Sequence, residues 1–490
     1  MPAKVEIPSF DTYKLETRLE TLTDIERPED AKSTAQLVRK LDSRLLPVLC
    51  VLYLLSYIDR SNIGNAKLGG LEEDLGLSKS EYQWALSIFY FAYVIFDLPS
   101  NIVMRRWRPS HWLGILMGLW GIVATAMAAC TNFGGLAASR FMLGVFEAGF
   151  FPGVIYFMSL WYTRQEYGRR IGFFWSFGSL AGAFGGLLAY AISQIPNDNL
   201  RSWQWLFIIE GVPSIVLSIF AAWYLPNNPE TARFLTGEER GLAISRLAKD
   251  GGPADDHSWS WLQVSSVFHD WKVYAYMIIY VSGTVSLQGV TLFLPSIVAE
   301  MGTWPKSTAQ ALTTPPYFLA FLVTIGIGYS SDKLFERAYH MIAVNVFAMA
   351  GFLVLMFVPH EDVAANYFGA CIVTASVYAN VSIKVAWFNN NFAGLTRRAV
   401  ASASIVSVGT IGGAIGGQIY YDPPLYFAGN TIAFSCVAFQ TLLTIVVRLA
   451  LLRENKRRDA MTADMKEQEI IRHGGMELVG DRHPDFRYVL

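Results

Sequence analysis

Charged side chains are scarce in this 490-residue chain, at 16% of all residues. A soluble domain usually carries about 25% charged residues, so the sequence lacks the charge that several water-facing surfaces need. The net charge of −1 excludes a generally basic nucleic-acid binder. The charges that are present are concentrated near the two ends of the chain, in residues 1–44 and 448–490.

Cysteine is also rare. The chain has four cysteines, each inside an apolar run: Cys50, Cys130, Cys371 and Cys436. No Cys-x-x-Cys pair occurs, so we expect neither a disulfide framework nor a zinc cluster. The N-terminal segment lacks the charged and then apolar order of a cleavable signal peptide. We therefore expect it to remain on the chain as a largely disordered tail.

Apolar residues are abundant instead, at 53% of the chain. A membrane-spanning helix needs about 20 mostly apolar residues, and twelve such stretches occur, at 45–66, 82–104, 112–130, 133–161, 170–195, 204–225, 271–298, 310–331, 339–358, 364–388, 399–420 and 425–450. The polar segment 226–270 separates the first six from the last six. The sequence therefore predicts an all-α polytopic membrane protein with 12 transmembrane helices in two six-helix bundles, 45–225 and 271–450, between tails 1–44 and 451–490.

The distribution of lysine and arginine predicts the orientation, because these residues favour cytoplasmic loops. Fourteen of them lie in one alternating set of loops, and the other set holds only Lys67, Lys79, Arg201 and Lys306. We therefore expect both termini and the 226–270 linker to be cytoplasmic, and we place the protein at the plasma membrane.

The two halves resemble copies of each other. An offset of 228 residues carries Arg169 and Arg170 onto Arg397 and Arg398, and it carries Arg105 onto Lys333. Internal repeats of this kind are typical of transporters whose binding site lies between the halves. Spans five and eleven also hold glycines three and four residues apart, which allow close helix packing. Static packing and sliding between two states are both compatible with that spacing.

Seven ionisable residues lie at membrane depth, where an unpaired charge is costly and each is therefore a functional candidate: Asp59, Arg60, Asp97, Arg140, Glu147, Glu210 and Lys384. The planar guanidinium of Arg60 suits a carboxylate, which makes Arg60 the best ligand for an anionic substrate. Asp59 is then free to bind and release a proton. The alternative is that these neighbours only neutralise each other near the interface.

Glu147 lies halfway along the fourth span, where burial favours the neutral acid. Arg140 precedes it by two helical turns on the same face, so we expect Arg140 to pair with Glu147 or with Asp59. A purely structural role remains an alternative for both Arg140 and Glu147. Asp97, which precedes Pro99, is interpreted as a cap or latch.

Glu210 is interpreted as a structural partner, and Lys384 as a side chain that extends to the cytoplasmic interface. All seven histidines lie in loops or tails, so carboxylates must hold any coupled proton. The C-terminal half offers neutral polar groups instead, such as Gln288 and Asn391. We therefore expect one half to couple protons and the other half mainly to select the substrate.

Several stretches carry a family resemblance: YLLSYIDRSNIGNAK, FDLPSNIVMRR, RFMLGVFEAGFFPGVIYFMSLWYTRQEYGRR, WQWLFIIEGVPS, LPNNPETARFLTGEER and TLFLPSIVAEMG. Together they resemble the major facilitator superfamily and, within it, the anion:cation symporter family, particularly the fungal allantoate, nicotinate, pantothenate and biotin permeases. The resemblance covers about residues 40–450.

This resemblance implies that Asp59 and Glu147 are proton sites, that Arg60 holds the substrate anion, that Arg140 is the charge partner and that Tyr93 lines the cavity. The superfamily's loop motif is present in the second half as Gly328, Asp332 and Lys333. In the first half Ser100 and Met104 replace its glycine and aspartate, which leaves Asp97 as a substitute. An amide ligand found at span five in some relatives is missing here, so Trp175 and Ser176 are expected in its place.

We therefore expect a monomeric, proton-coupled symporter of a small organic monocarboxylate, without a cofactor. The expected cavity walls are Tyr93, Trp175 and Tyr317, with Ser176, Gln288 and Asn391 as polar contacts. An exporter of a secondary metabolite and a non-transporting nutrient sensor remain alternatives. A membrane enzyme would need a cluster of His, Asp or Cys at one interface, and the sequence has none.

Overall fold

All regular elements are helical in the computed structural model, which describes residues 28–195, 199–251, 261–393, 395–472 and 479–490. Twelve helices in these ranges are long and apolar enough to cross a membrane, which confirms the predicted fold class. They are α1 (Pro28–Leu68), α2 (Lys79–Arg106), α3 (Pro109–Ala126), α4 (Phe133–Glu147 and Phe150–Ser159), α5 (Arg164–Ser193), α6 (Ser202–Tyr224), α7 (Trp271–Glu300), α8 (Thr314–Leu334), α9 (Ala338–Phe357), α10 (Val363–Asn390), α11 (Leu395–Gly416) and α12 (Phe427–Asp459).

Shorter helices lie between and after the spans, at Leu71–Asp74, Gly237–Gly251, Trp261–Phe268, Lys306–Leu312 and Ala463–Arg472. We call the end of the molecule that holds the α6–α7 connection the linker end, and the end that holds the α1–α2 connection the opposite end. The first helix begins at Pro28, so residues 28–44 of the predicted tail are helical. Residues 1–27, 252–260 and 473–478, on which the rest of the tail and linker predictions fall, lie outside the described residues.

The helix packing repeats between the N-terminal bundle, α1–α6, and the C-terminal bundle, α7–α12. In the first bundle α1 packs on α5, α2 on α4, and α3 on α6. In the second bundle the corresponding pairs are α7 on α11, α8 on α10, and α9 on α12. The bundles meet where α2 packs on α11 and α5 on α8, which are again equivalent pairs. This arrangement agrees with the duplication inferred from the sequence.

An ion pair recurs with the repeat. Arg170 on α5 donates to Asp42 on α1, with its Nε 2.6 Å from Oδ1. The offset of 228 residues carries Asp42 onto Asp270, which accepts from Arg397 Nη2 at 2.6 Å. The same offset carries Arg170 onto Arg398, so the basic partner is displaced by one residue in the second copy. Asp42 lies within α1 and Asp270 is the N-cap of α7, and both pairs fix the crossing of a bundle's first and fifth helices towards the linker end.

Most of the described glycines of α5 and α11 lie at close helix contacts, as their spacing predicted, although the space around Gly172 is open. A methyl group added at Gly412 would lie 2.5 Å from the Val281 carbonyl oxygen of α7, and one at Gly182 would lie 2.7 Å from the Tyr317 ring of α8. These positions exclude larger side chains because the neighbouring helix already occupies the space. The α11–α7 contact lies within one bundle, and the α5–α8 contact joins the two bundles.

The fourth span is interrupted directly after Glu147. Pro152 has no N–H to donate to the carbonyl of Ala148, which weakens the helix at this point. Gly149 lies against Ser100 of α2 so closely that any side chain would collide with it. The break therefore places Glu147 at the end of a helical segment, where it faces α1.

Hydrogen bonds join the two bundles where α2 contacts α11 and where α1 contacts the short helix Lys306–Leu312. At the opposite end Ser87 donates to the Ala414 carbonyl at 2.8 Å, and Gln310 donates to the Asn65 carbonyl at 3.0 Å. Towards the linker end Ser407 donates to Asp97 Oδ2 at 2.7 Å. Between these levels lies the cavity described below.

Candidate functional site

An ion pair between Arg60 and Glu147 lies at the wall of a cavity between the two bundles. Arg60 donates from both Nε and Nη2 to one carboxylate oxygen, Glu147 Oε1, at 2.9 and 2.6 Å. Ser56 Oγ donates to the same oxygen at 2.6 Å. The other oxygen, Oε2, has no hydrogen-bond partner within the described ranges. The Arg60 side chain is 13% exposed and that of Glu147 only 1%, so Arg60 is the member of the pair that reaches the cavity.

Aromatic rings surround the Arg60 guanidinium. Its Cζ lies 5.0 Å from the ring centroid of Tyr93, 5.3 Å from that of Phe89 and 5.8 Å from that of Tyr57. Cations within about 6 Å of an aromatic ring are attracted to its face. Arg60 is the one charged residue among the described residues that line the cavity, which are Tyr53, Arg60, Tyr90, Tyr93, Phe151, Trp175, Tyr280, Thr284, Leu287, Gln288, Val381, Val406 and Thr410.

Tyrosines link the two sides of this cavity. The hydroxyl of Tyr90 on α2 donates to Gln288 Oε1 on α7 at 2.7 Å. The hydroxyls of Tyr57 on α1 and Tyr378 on α10 lie 2.8 Å apart. Both contacts join the N-terminal to the C-terminal bundle beside Arg60, so groups from both halves bound this part of the cavity.

Asp59 faces away from the cavity although it precedes Arg60. Its Oδ2 accepts from Trp120 Nε1 on α3 at 3.2 Å and from Ser214 Oγ on α6 at 2.7 Å. Successive residues of a helix point about 100° apart, which separates the surroundings of Asp59 from those of Arg60. The two residues therefore do not form the local neutralising pair that the sequence left open.

The comparisons with known proteins agree with this architecture. Residues 49–417 match the Major Facilitator Superfamily. The chain belongs to this superfamily. It is 34% identical over 468 residues to the uncharacterized transporter C1683.12 of Schizosaccharomyces pombe, with 95% of this chain and 94% of the relative covered. It is 33% identical over 435 residues to MFS transporter prlL of Fungal sp. (strain NRRL 50135), with 86% and 88% covered.

The fold is also found among solved structures of this superfamily. A D-xylose–proton symporter superposes with a TM-score of 0.63 at 12% sequence identity, covering 82% of this chain and 96% of the symporter. This likeness concerns the fold alone. Together with the relatives above, it makes the chain a multi-pass membrane transporter of the superfamily.

Four residues predicted to contact substrate line the cavity: Arg60, Tyr93, Trp175 and Gln288. Their roles in binding remain predictions. The Trp175 ring lies edge-on to Phe151 at a centroid distance of 5.0 Å and 6.0 Å from the ring of Tyr53 on α1, so it forms part of the aromatic wall beside Arg60's own helix.

Three other predicted contacts lie elsewhere. Ser176 is buried and its hydroxyl donates at 2.6 Å to the Phe173 carbonyl of its own helix. Tyr317 donates at 3.1 Å to the Thr291 carbonyl and packs at the α5–α8 contact rather than at the cavity wall. The reason in both cases is rotation about the helix axis, which hydropathy alone does not determine.

Asn391 is the third predicted contact that does not line the cavity. Its side chain accepts from the Val489 N–H at 2.8 Å and donates to the Val489 carbonyl at 3.0 Å, and it also donates to the Tyr276 hydroxyl at 2.8 Å. It therefore holds the segment 479–490 against the linker end of the C-terminal bundle. A contact with a segment so distant in sequence leaves no local pattern from which it could be predicted.

Arg140 and Lys384 also differ from the predictions. Arg140 donates to the backbone carbonyls of Ala85 and Arg60, at 3.4 and 3.3 Å, and Glu147 pairs with Arg60 instead. Seven residues span about 10 Å along a helix, which favours the nearer guanidinium of the adjacent helix. Lys384 is only 1% exposed, so it does not extend to the interface.

The predicted gating residues lie towards the linker end. Asp97 accepts from Asn101 at 2.9 Å as well as from Ser407 on α11, so it connects α2 to the other bundle. Asp332 pairs with Arg337 at 2.6 Å. Lys333 is exposed, and the space around Gly328 is open. A latch function of this group remains a prediction.

Several tyrosines that line the cavity were not predicted from the sequence. Tyr53, Tyr57 and Arg60 are spaced four and three residues apart, and this spacing places them on one face of α1. Tyr90 and Tyr93 have the equivalent spacing on α2. This periodicity was available in the sequence and identifies the aromatic surroundings of Arg60. Tyr280, on the first helix of the second bundle, lies four residues after Tyr276. Because Tyr276 packs against Trp387 instead, spacing alone does not show which of the two tyrosines reaches the cavity.

Proposed function

We propose that this protein is a proton-coupled transporter of a small organic anion, with Arg60 as its anion-binding group. The observation that supports this most is the pairing of Arg60 with Glu147 at the wall of a cavity between two duplicated bundles. Arg60 holds a charge that a substrate carboxylate can use, and Glu147 occupies the same donors when no substrate is bound. This assignment agrees with the resemblance to the anion:cation symporter family.

The proposed coupling is an exchange of partners on Arg60. When Glu147 is ionised, its carboxylate holds Nε and Nη2 of Arg60, so an external anion competes poorly. When Glu147 takes up a proton, the ion pair is lost and both donors become available to a substrate carboxylate. Charge-assisted bidentate hydrogen bonds of this type are strong and directional. Proton binding therefore favours anion binding, and release of one favours release of the other.

The charge count supports a monocarboxylate as the substrate. Arg60 is the one charged group among the described cavity-lining residues, and one guanidinium matches one carboxylate. The tyrosine and tryptophan side chains around it favour a flat or apolar body over a sugar. An aromatic or short ureido acid fits these surroundings. Alternating access of the two bundles then carries the acid across the membrane, and the direction follows from the gradients.

We propose that the protein acts in the cell as a monomeric importer in the plasma membrane, with both termini in the cytoplasm. The basic residues of the linker-end loops support this orientation. Export of a related acid uses the same site with the gradients reversed.

The experiment compares an acid with its amide. The purified protein is reconstituted in vesicles, and uptake of nicotinate and of nicotinamide is measured with and without an inward proton gradient. We expect uptake of the acid alone, and only with the gradient. A thermal shift provides the binding readout, since a ligand that binds only the folded state raises the apparent stability. Equal transport of both compounds contradicts carboxylate recognition, and indifference to the gradient contradicts proton coupling.

A further inference from the structure

Two buried carboxyl groups, those of Asp59 and Glu210, lie in the N-terminal bundle away from the cavity. Asp59 is 1% exposed and Glu210 2%. Neither lines the cavity beside Arg60, and no lysine or arginine of the described ranges lies within ion-pair distance of either. An uncompensated buried charge is costly, so these two carboxyl groups need a bound proton or another positive charge to neutralise them.

The geometry places the two acids on facing helices. Ser214 Oγ on α6 donates to Asp59 Oδ2 on α1 at 2.7 Å. Asn62 lies one turn beyond Asp59 towards the opposite end, and Glu210 lies one turn beyond Ser214 in the same direction, because α1 and α6 run antiparallel. Residues three or four apart share a helix face, with Cβ atoms about 5–6 Å apart. Asn62 therefore lies beside Glu210.

Several polar atoms of this group have no hydrogen-bond partner in the described part of the chain. They are Asp59 Oδ1, both carboxyl oxygens of Glu210, and both amide atoms of Asn62, a residue that is itself 1% exposed. Buried polar side-chain atoms are normally paired. An amide beside two carboxyl groups has a donor for an ionised carboxylate and an acceptor for a protonated one, so Asn62 suits either state.

The other groups around the pair do not supply a positive charge. The third helix contributes the Trp120 indole, and α6 contributes the Ser214 hydroxyl. The acid that faces Asp59 from α4 is Glu147, which is paired with Arg60. Helix α5, which packs against α1, brings no acidic or basic side chain to Asp59 or Glu210 within the described residues.

We propose that Asp59, Asn62 and Glu210 form a two-carboxyl proton site, in which Glu210 passes protons between the opposite end of the membrane and Asp59. This inference rests on the proton coupling proposed above and assigns the route by which a proton reaches Asp59, the second predicted proton site. In the transfer, an O–H bond of Glu210 breaks, an O–H bond forms at Asp59, and the negative charge moves to Glu210. Glu210 then regains a proton from the opposite end, about 12 Å away along α6.

The path is separate from the anion site. The proton reaches Asp59 on the side of α1 that faces α3 and α6, whereas the substrate contacts Arg60 on the side that faces the other bundle. The two ligands therefore need not pass through the same opening.

Transport in vesicles tests the role of Glu210. For Glu210→Gln we expect proton-driven uptake of the acid to slow by roughly a hundredfold, the scale of a lost proton-transfer group. Counterflow exchange of labelled acid, which needs no net proton movement, should be retained, and Glu210→Asp should recover part of the uptake. The matched control is Ser218→Ala, two turns along the same helix face, whose hydroxyl donates only to its own helix at 2.6 Å; it should leave both activities unchanged.

Infrared difference spectroscopy of the purified full chain supplies a readout that does not depend on transport. Between acid and neutral pH we expect carboxyl C=O bands from Asp59 and Glu210, with Glu210→Gln removing one band and shifting the other. A spectrum of Glu210→Gln identical to that of the wild type overturns the proposal, as does normal uptake by this variant. Uptake that requires sodium instead of a proton gradient also overturns it.

The same measurements separate this proposal from the proposed function. If wild-type uptake is insensitive to the proton gradient, proton-coupled transport itself has failed, whatever Glu210→Gln does. If the wild type is proton-driven and Glu210→Gln behaves like it, only the two-carboxyl site has failed.

Discussion

Arg60 Nη2 lies 2.6 Å from Glu147 Oε1, and the same guanidinium lies over the ring of Tyr93 at 5.0 Å. The cation is therefore held by an acid on one side and by aromatic faces on the other. Because these rings line the space between the two bundles, the strength of the Arg60–Glu147 pair determines how available the guanidinium is to an anion in the cavity.

Arg60→Lys is expected to weaken substrate binding severely although it keeps the charge. An ammonium cannot donate from two fixed positions as Nε and Nη2 do. Loss of one buried, charged hydrogen-bond partner costs about 2–5 kcal/mol, which corresponds to roughly 30- to several-thousand-fold in affinity. Binding of the acid is measured by calorimetry or thermal shift. Arg201→Lys, at an exposed position on the opposite end, is the control, and wild-type affinity in Arg60→Lys refutes the role.

Glu147→Gln is expected to separate binding from coupling. The amide keeps the shape and the contact with Ser56, but it does not titrate, so Arg60 loses its anionic partner at every pH. We expect binding of the acid to be retained, while accumulation against a proton gradient disappears. Affinity at several pH values and uptake in vesicles are the measurements. If Glu147→Gln still accumulates the acid, the carboxylate has a structural role only; Glu230→Gln, on an exposed residue, is the control.

The sequence predicts the helices well because each of the twelve spans needs its own length of apolar residues, whatever its neighbours are. It also identifies Arg60, Asp59 and Glu147, since a charge at membrane depth is too costly to be incidental. The partners of these charges are less predictable. Whether Glu147 pairs with Arg60 or Arg140 depends on how α1 and α4 are rotated against each other. The spacing of residues along one helix does not predict this rotation.

Contacts between distant segments could not be predicted from the sequence for a similar reason. Asn391 has a polar side chain of the kind found in binding sites, yet it binds the backbone of Val489. Lys384 has a long charged side chain of the kind found at the membrane–water interface. Its Nζ nevertheless lies 4.3 Å from the Tyr280 ring centroid inside the C-terminal bundle. Both depend on tertiary packing between the linker ends of the helices, and this packing is visible only in the structure.

Lys384→Met tests whether Arg60 is the only cation that the substrate uses. Lys384 Nζ has no hydrogen-bond partner in the described residues and lies behind Tyr280, a cavity-lining residue. A buried charge without a partner is costly, so an apolar side chain of similar length should be tolerated here. We therefore expect unchanged affinity for a monocarboxylate and an unchanged or higher melting temperature. A loss of about tenfold or more, 1.4 kcal/mol, instead identifies a second cation and a dicarboxylate substrate; Lys456→Met, at an exposed position near the end of α12, is the control.

Cysteine labelling tests the orientation. In a variant whose four native cysteines are replaced by serine, we expect Lys79→Cys at the opposite end to react with an impermeant reagent in intact cells. Glu238→Cys, an exposed position in the connection between the bundles, should react only after permeabilisation. The physical reason is the excess of basic residues in the linker-end loops. The reverse labelling pattern contradicts the assigned topology.

Asp481→Asn is expected to release the segment 479–490 from the C-terminal bundle. Asp481 is fully buried and pairs with Lys272 and with Arg397, whose Nε lies 2.8 Å from its Oδ1. Removing one member of a buried ion pair costs about 3–5 kcal/mol, so the melting temperature should fall and the segment should become sensitive to protease. Asp485→Asn, at an exposed position beside Lys466, is the control and should change neither.

The pH dependence of this contact follows from the same charges. Burial alone raises the pKa of Asp481, but the charges of Lys272 and Arg397 outweigh it and hold that pKa below its ordinary value. A carboxyl group whose pKa is lowered by folding stabilises the folded state fully above its unfolded pKa of about 3.9. The stabilisation is lost as the pH falls below that value, through the folded pKa. Limited proteolysis of 479–490 should therefore be constant between about pH 5 and 8 and should accelerate only in stronger acid, and an acceleration near neutral pH means that another group controls the docking.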